Sequence, residues 1–375
     1  MAQIIIVGGS HGGVNAAHTL AHRLGREHRI ILISAVDEFV YRPTLVHLAM
    51  GLRTAKQIRR PLAPGLRRRG IEFVQDTVEH IDPQARRVTG RTGEHDYDFL
   101  VVAPGARADW SGLPGGAEHA HTLLWMDDAV RLRQAIDSFR GGSVVIGMQR
   151  GGELPCPLYE VPLLLDAYLV RRGLRGQTTI TAFSYEKTPY ALAGPRASRL
   201  GARILRNRNI GFIGGTTATR IEPGRVRLED GAELPSDLTF IMPPYKGRDV
   251  VQGLEPPTAD GMLPVDDYMR STRHDDVYAV GDAVDVDGPK TGRIAQQQGK
   301  VAGSNIAALL QGKKPVALYN SEYLCVLDLG LGGGLGWLRR PSPGQGRPVN
   351  YLGVSGPPVK WGKLVLERAQ LAKLR

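Results

Sequence analysis

The chain opens on a β-branched run, Ile4-Ile5-Ile6-Val7, then Gly8-Gly9-Ser10-His11-Gly12-Gly13, then a stretch over residues 14–23 whose alanines and Leu20 recur at helical spacing. A second apolar run follows over residues 28–33. Strand, glycine turn, helix and strand in that order predict the phosphate-binding βαβ unit of a doubly wound sheet. Glycines let the backbone turn sharply and approach a pyrophosphate, and the helix start offers it free N–H groups and a positive dipole end. The alternation returns in the middle of the chain, with strands expected at 143–146, 178–183 and 238–242 and helices at 163–172 and 196–206. A last strand ends at Gly281-Asp282, and a helix is expected over residues 295–310. The pattern predicts an α/β fold of two Rossmann-like dinucleotide-binding domains. The first is discontinuous (1–106 and 246–312), the second (107–245) is inserted into it, and a C-terminal capping or membrane-facing region spans 313–375.

Two positions depart from the usual dinucleotide pattern. Ser10 stands where the second motif glycine is expected, and Ser34 where an acid would bind ribose hydroxyls. Two later segments point to a flavin rather than a nicotinamide. Residues 97–102 run as a strand into the small-residue turn Ala103-Pro104-Gly105-Ala106. Gly281-Asp282 closes a strand ahead of Lys290-Thr291-Gly292 and a helix, so Asp282 can bond a ribityl hydroxyl while the helix start faces the electron-rich end of the ring.

Length and composition change this picture little. With 375 residues, 42% hydrophobic and 23% charged, the chain is long enough for two or three domains. A formal net charge of +11 favours anionic partners or reflects a solvated arginine-rich surface. No recognition helix, zinc spacing or aromatic RNA-binding motif accompanies it, so neither nucleic acid nor a metal is expected. No apolar run is long enough to span a bilayer and no signal peptide precedes the first strand, so a cytoplasmic location is expected. The two cysteines, Cys156 and Cys325, form no secreted disulfide framework; they are either packed small hydrophobes or a redox pair.

The second domain carries the turn Met148-Gln149-Arg150-Gly151-Gly152, with Gln149 at a glycine position and Pro155 and Pro157 flanking Cys156. Prolines there argue against a regular helix, and no acid closes the next strand at Ala182-Phe183-Ser184, so a degenerate NADH site is expected. Residues 329–338 are glycine-rich and apolar, followed by Arg339-Arg340-Pro341 and a Pro/Gly stretch to Pro358. The final segment interleaves Trp361, Leu364, Val365, Leu371 and Leu374 with Lys360, Lys363, Arg368, Lys373 and Arg375. That suits a basic amphipathic helix on an anionic membrane surface, or a terminal helix docked on the core or on a partner subunit.

Several segments together carry a family resemblance. Tyr41-Arg42-Pro43, Asp76-Thr77-Val78-Glu79, Met242-Pro243-Pro244-Tyr245, Pro289-Lys290-Thr291-Gly292 and Cys325-Val326-Leu327-Asp328 resemble sulfide:quinone oxidoreductases over almost the whole chain. Gln296-Gln297-Gln298-Gly299 is more similar to type II NADH dehydrogenases. The resemblance implies FAD held by Gly8, Gly9, Ser10, His11, Gly12, Gly13, Ser34, Arg42, Val78, Ala103, Pro104, Gly105, Gly281, Asp282, Lys290, Thr291 and Gly292. It implies catalysis by Cys156, Cys325 and Glu160: sulfide or a small thiol donor is oxidised through the two cysteines by way of a persulfide. Electrons pass through the flavin to a quinone, on an enzyme peripheral to the inner face of the membrane, with a homodimer admitted. A third cysteine, usual in these enzymes before the second domain, is missing from His121-Thr122-Leu123-Leu124-Trp125-Met126, so FAD is expected to be non-covalent. The usual glutamate follows the middle cysteine by six residues; Glu160 follows Cys156 by four. His47 reads as a packed histidine in an apolar run. The rival readings are a type II NADH:quinone dehydrogenase, a thiol or polysulfide oxidase without quinone coupling, and a non-catalytic flavin-bound sensor or partner subunit.

Overall fold

The computed structural model describes residues 1–374 apart from 153, 255–257, 321, 332, 341–348 and 353–355. Much of the Pro/Gly stretch after Arg340, and Arg375, therefore lie outside the described residues. Along the chain come β1 (Gln3–Val7), α1 (His11–Leu24), β2 (Arg29–Ser34), the short α2 (Leu45–Ala49), β3 (Ile71–Gln75) and β4 (Phe99–Val102). Then follow β5 (Gly142–Met148), α3 (Cys156–Arg171), β6 (Thr178–Ser184), β7 (Ile210–Gly214), β8 (Ala218–Glu222) and β9 (Leu238–Met242). The chain returns through β10 (Val277–Ala279) and α4 (Gly292–Leu310), and continues into β11 (Tyr323–Asp328), β12 (Gly334–Arg340), β13 (Val349–Leu352) and α5 (Pro357–Ala372).

Two parallel sheets form the frame. The first has the order β10-β4-β1-β2-β3, so a strand from beyond the second sheet completes the one begun at residue 3. The second has the order β7-β6-β5-β9. Their strands read as apolar runs because helices cover both faces of such a sheet; Ile4, Ile5 and Ile6 are all fully buried. A separate antiparallel sheet, β11-β12-β13, carries α5 against it.

Close helix contact fixes the first unit. A Cβ on Gly299 of α4 would stand 2.3 Å from the Gly12 carbonyl oxygen of α1, and one on Gly303 would stand 2.8 Å from that of Ala16. These glycines let α1 and α4 touch backbone to backbone, which brings the start of α4 beside the start of α1.

One expectation is overturned at α3. The sequence placed this helix at 163–172, but it starts at Cys156. Pro155 precedes the helix and Pro157 lies in its first turn, where no intrahelical N–H is required, so these prolines open the helix instead of excluding it. Pro162 does lie in the interior and forgoes one backbone bond; the helix continues because its residues from Leu158 to Leu169 are buried.

Candidate active site

The glycine turn after β1 is tight for a physical reason at each end. Gly8 has φ 115°, and a Cβ there would fall 2.1 Å from the Ala103 carbonyl oxygen. A Cβ on Gly13 would fall 2.0 Å from the Gly8 oxygen. The chain then enters α1 at His11 without a side-chain cap on its N–H groups and without an acidic residue in the first turn. An uncapped, positively polarised helix start under a glycine turn fits the pyrophosphate of a dinucleotide. Ser34 is buried at the end of β2, its Oγ 2.8 Å from where a Gly9 Cβ would lie, so the serine borders the turn. His11 is fully buried between Phe39 and Tyr41, and its Nε2 has no hydrogen-bond partner among the described residues. Burial, with Arg42 and Lys373 nearby, lowers its pKa to about 3, so the ring is neutral at ordinary pH.

Ala103, Pro104 and Gly105 follow β4, and Gly105 has a left-handed φ of 72°. Asp282 is buried and pairs with Arg42 at 3.0 Å. Arg42 in turn lies over the Trp125 ring at 4.8 Å, with Arg248 at 5.2 Å from the same ring. Lys290 is buried and donates from Nζ to the Val284 carbonyl. Thr291 caps α4 by accepting from the Ile294 N–H at 3.3 Å. Gly292 admits the His11 ring, which a Cβ there would meet at 2.7 Å. Val78 lies on a separate antiparallel sheet, half-buried and paired with Gly90, and packs against the cluster that holds Val7 and Ile33 at the ends of β1 and β2. The three glutamines read as NADH dehydrogenase-like have structural bonds. Gln298 Oε1 accepts from the Gly281 N–H at 2.7 Å, Gln297 bonds the Glu322 backbone twice, and Gln296 accepts from Gln370 of α5 at 3.0 Å.

Arg42, Asp282, Lys290 and Gly292 share one cavity with Cys156, Cys325 and Glu160. The sulfurs come together although one begins α3 and the other sits mid-way along β11. Both are free thiols. Cys156 Sγ lies 3.1 Å from the Tyr323 hydroxyl. A hydrogen bond from the Cys325 thiol lowers the Cys156 pKa, whereas burial raises that of Cys325. Glu160, one turn after Cys156, is 3% exposed and far from a solitary acid. Its Oε1 accepts from Lys363 Nζ of α5 and from the Asp328 N–H of β11 at 2.8 Å. His47 of α2 stands 3.3 Å from Asp328 Oδ2 and 3.9 Å from Glu160 Oε1. The histidine is buried, as expected, but against two carboxylates rather than in a purely apolar setting.

The second unit closes its own turn. Gln149 is buried and makes two bonds with the backbone of Ala218 on β8, accepting from its N–H at 2.9 Å and donating to its carbonyl at 2.8 Å. The amide thereby ties the turn after β5 to the start of β8. An acid does follow β6, two residues past its end: Glu186 accepts from the Tyr159 hydroxyl at 2.6 Å. Burial raises its pKa, and Tyr159 stacks on Tyr190 at 3.9 Å. The carboxylate that could meet a ribose is thus turned inward. Gln149→Ala would strand both Ala218 backbone groups, and urea unfolding should show a loss of about 1–3 kcal/mol.

α5 settles the two readings of the final helix for its inner face. Leu371 and Leu374 are buried in the core of the first unit, Lys363 and Glu367 turn inward, and Arg53 pairs with Glu367 at 3.3 Å. Trp361 and Val365 face outward, each 63% exposed. Among the described residues, no helix is long and apolar enough to cross a membrane.

Residues 2–299 match the model of the pyridine nucleotide-disulphide oxidoreductase family. The chain belongs to that family. This pyridine nucleotide-disulphide oxidoreductase is 28% identical, over 99% of its length and 91% of the relative's, to the sulfide-quinone reductase of Aquifex aeolicus. The crystal structure of the sulfide:quinone oxidoreductase from Aquifex aeolicus superposes with a TM-score of 0.91 at 26% identity, covering 100% of this chain and 92% of that one. An NADH dehydrogenase-like protein of Mycobacterium tuberculosis is also 28% identical, over 93% of this chain and 91% of that protein. The chain is an FAD-dependent oxidoreductase similar to the sulfide:quinone reductases.

Proposed function

We propose that this enzyme oxidises sulfide at Cys156 and Cys325 and delivers the electrons to a quinone. The observation that carries the reading is one cavity lined by both cysteines and by Asp282, Lys290 and Gly292. The residues fit FAD: the glycine turn and the uncapped start of α1 would hold its pyrophosphate, and Asp282, Lys290 and the Thr291-capped start of α4 its ribityl chain and ring. On this reading residues 1–106 and 246–312 form the flavin domain, residues 107–245 the inserted one, and the flavin is held without a covalent bond.

Hydrosulfide attacks the Cys156–Cys325 disulfide of the oxidised enzyme. One S–S bond forms and one breaks, leaving a persulfide on one cysteine and a thiolate on the other. Joining of the thiolate to the outer sulfur of the persulfide forms a second S–S bond, breaks its S–H bond and leaves the new sulfur bridging the two cysteines, with a proton and an electron pair given up. Bound FAD supplies the two-electron acceptor between this pair and a quinone. Arg42, Lys290, Arg293 and Lys363 line the cavity against Glu160 and Asp282, an excess of positive charge that favours an anionic donor over a neutral one. Glu160 acts in this scheme as the fixed partner of Lys363 beside Cys156. The exposed Trp361 and Val365 would give α5 an apolar foothold on a membrane that supplies the quinone.

The rival reading, a type II NADH:quinone dehydrogenase, draws on the NADH dehydrogenase-like relative and is opposed by Gln149, which stands at a glycine position and is tied to β8. Anaerobic visible spectra decide between them. Sulfide should bleach the flavin band of the purified protein while NADH leaves it unchanged. Bleaching by NADH with no response to sulfide would overturn the proposal.

A further inference from the structure

Tyr323 and Cys325 are two apart on β11, so their side chains leave the strand on the same face. That face meets the first turn of α3. The Tyr323 hydroxyl is there 3.1 Å from Cys156 Sγ, and it bonds the Cys325 sulfur as well. Tyr323 is 2% exposed and Cys325 3%, so water is kept from both. A buried phenol must find a partner, and here its partners are the two sulfurs of the site.

We infer that Tyr323 is a further catalytic residue, whose hydroxyl donates to Cys156 and makes it the thiolate of the pair. The inference rests on the reading of Cys156 and Cys325 as the reacting sulfurs. Three chemical facts support it. A phenol has one proton to give and a thiolate is a better acceptor than a thiol, so the bond favours the ionised sulfur. Cys156 is the first residue of a sixteen-residue helix, at the end where the dipole favours negative charge. The two thiols are also pushed apart, Cys156 down through the hydrogen bond from Cys325 first and that from Tyr323 after it, and Cys325 up through burial. The sulfur with the lower pKa is the better leaving group in thiol–disulfide exchange. Incoming hydrosulfide is therefore directed to Cys325: the Cys156–Cys325 bond breaks, its electron pair stays on Cys156, and Cys325 keeps the new sulfur.

Other charged and titratable groups act on Cys156. Glu160 on the same helix opposes its ionisation and Lys363 of α5 favours it, while Cys325 shares β11 with Tyr323. Tyr190 is near enough to feel both cysteines and Glu160, its own ionisation suppressed by burial. A test must therefore alter the Tyr323 hydroxyl and leave these in place.

The test is the pH dependence of Cys156 alkylation in the reduced holoprotein, using iodoacetamide under anaerobic conditions and reading the modified peptide by mass spectrometry. Tyr323→Phe should raise the midpoint for Cys156 by about one pH unit, an about tenfold slower reaction near neutrality. Should the phenylalanine variant not fold, 3,5-difluorotyrosine placed at residue 323 keeps the shape and strengthens the donor, and should shift the midpoint the other way. Unchanged midpoints in the folded protein, or shifts confined to Cys325, overturn the inference. The alkylation profile does not depend on sulfide turnover. If it shifts while sulfide fails to reduce the flavin of the unaltered protein, the proposed function falls and takes the catalytic role with it, and Tyr323 stands only as the donor that ionises Cys156. If sulfide reduces the flavin and the profile does not shift, the proposed function stands and the role of Tyr323 falls.

Discussion

In the Cys325→Ser variant, anaerobic sulfide should leave the flavin band oxidised, with the rate of reduction down on the order of 10³-fold or more, the scale seen when a nucleophile is removed. The reason is stoichiometric. A single cysteine can form no intramolecular disulfide for hydrosulfide to attack, and a serine oxygen cannot take up a sulfur atom reversibly. Cys156→Ser should lose as much, and the double variant no more than either, because the two sulfurs act as one unit. Stopped-flow absorbance of the anaerobic holoprotein checks all three. The substitution is mild for the fold: the Tyr323 hydroxyl beside both sulfurs can bond a serine in their place. An unaltered flavin spectrum before sulfide is added separates lost chemistry from lost cofactor. If either single variant is still reduced at the rate of the unaltered protein, the two cysteines are not the redox centre.

The second large effect concerns stability. Lys363→Met should cost about 3–5 kcal/mol, because removing one member of a buried ion pair leaves the other charge in a medium that solvates it poorly. Glu160 is 3% exposed and Asp328 1%, and both meet His47. Without Lys363 the Glu160 carboxylate loses its lysine counterion and keeps the Asp328 N–H, with His47 beside both acids. Adding Glu160→Gln to Lys363→Met should restore a good part of the loss, since the amide no longer demands a counterion. Denaturant unfolding of the four members of the double-mutant cycle measures the coupling, which should exceed about 1 kcal/mol for residues in contact. Strict additivity would mean that the Lys363–Glu160 contact does not form.

The contrast between these sites shows what a sequence can disclose. The turn from Gly8 to Gly13 was legible because everything that forces it is local: strand, glycines and helix are adjacent, and their spacing is the signal. The same holds for Gly281-Asp282 and the helix after Gly292. The interior of the site was not legible, because its bonds join distant positions. Asp328 meets Glu160 across 168 residues and Lys363 meets it across 203. In the sequence Lys363 is one of several lysines on an amphipathic helix. A trace was present, since 363, 367, 371 and 374 form one stripe and its last two members are leucines that dock on the core. Charged residues on that stripe could have been flagged as buried. Tyr323 left a similar trace, two positions before Cys325 on an alternating strand, but nothing in the sequence says that Cys156 waits opposite. The prolines beside Cys156 misled for a different reason. Proline is costly in a helix interior and tolerated in its first turn, and the local sequence does not say which of the two Cys156 occupies.

The way α5 is tied down bears on how the molecule breathes. A helix at the edge of a fold ordinarily frays first, and its amides exchange with solvent through small local openings. Here lifting α5 would strip Lys363 from Glu160 and Glu367 from Arg53 in a single movement, besides drawing Leu371 and Leu374 out of the first unit's core. Such an opening exposes charge and apolar surface together, so it has no inexpensive intermediate stage. Amide hydrogens in the middle of α5 should therefore exchange as slowly as those of the central strands, so that this late helix behaves as a keystone and not as a loose end.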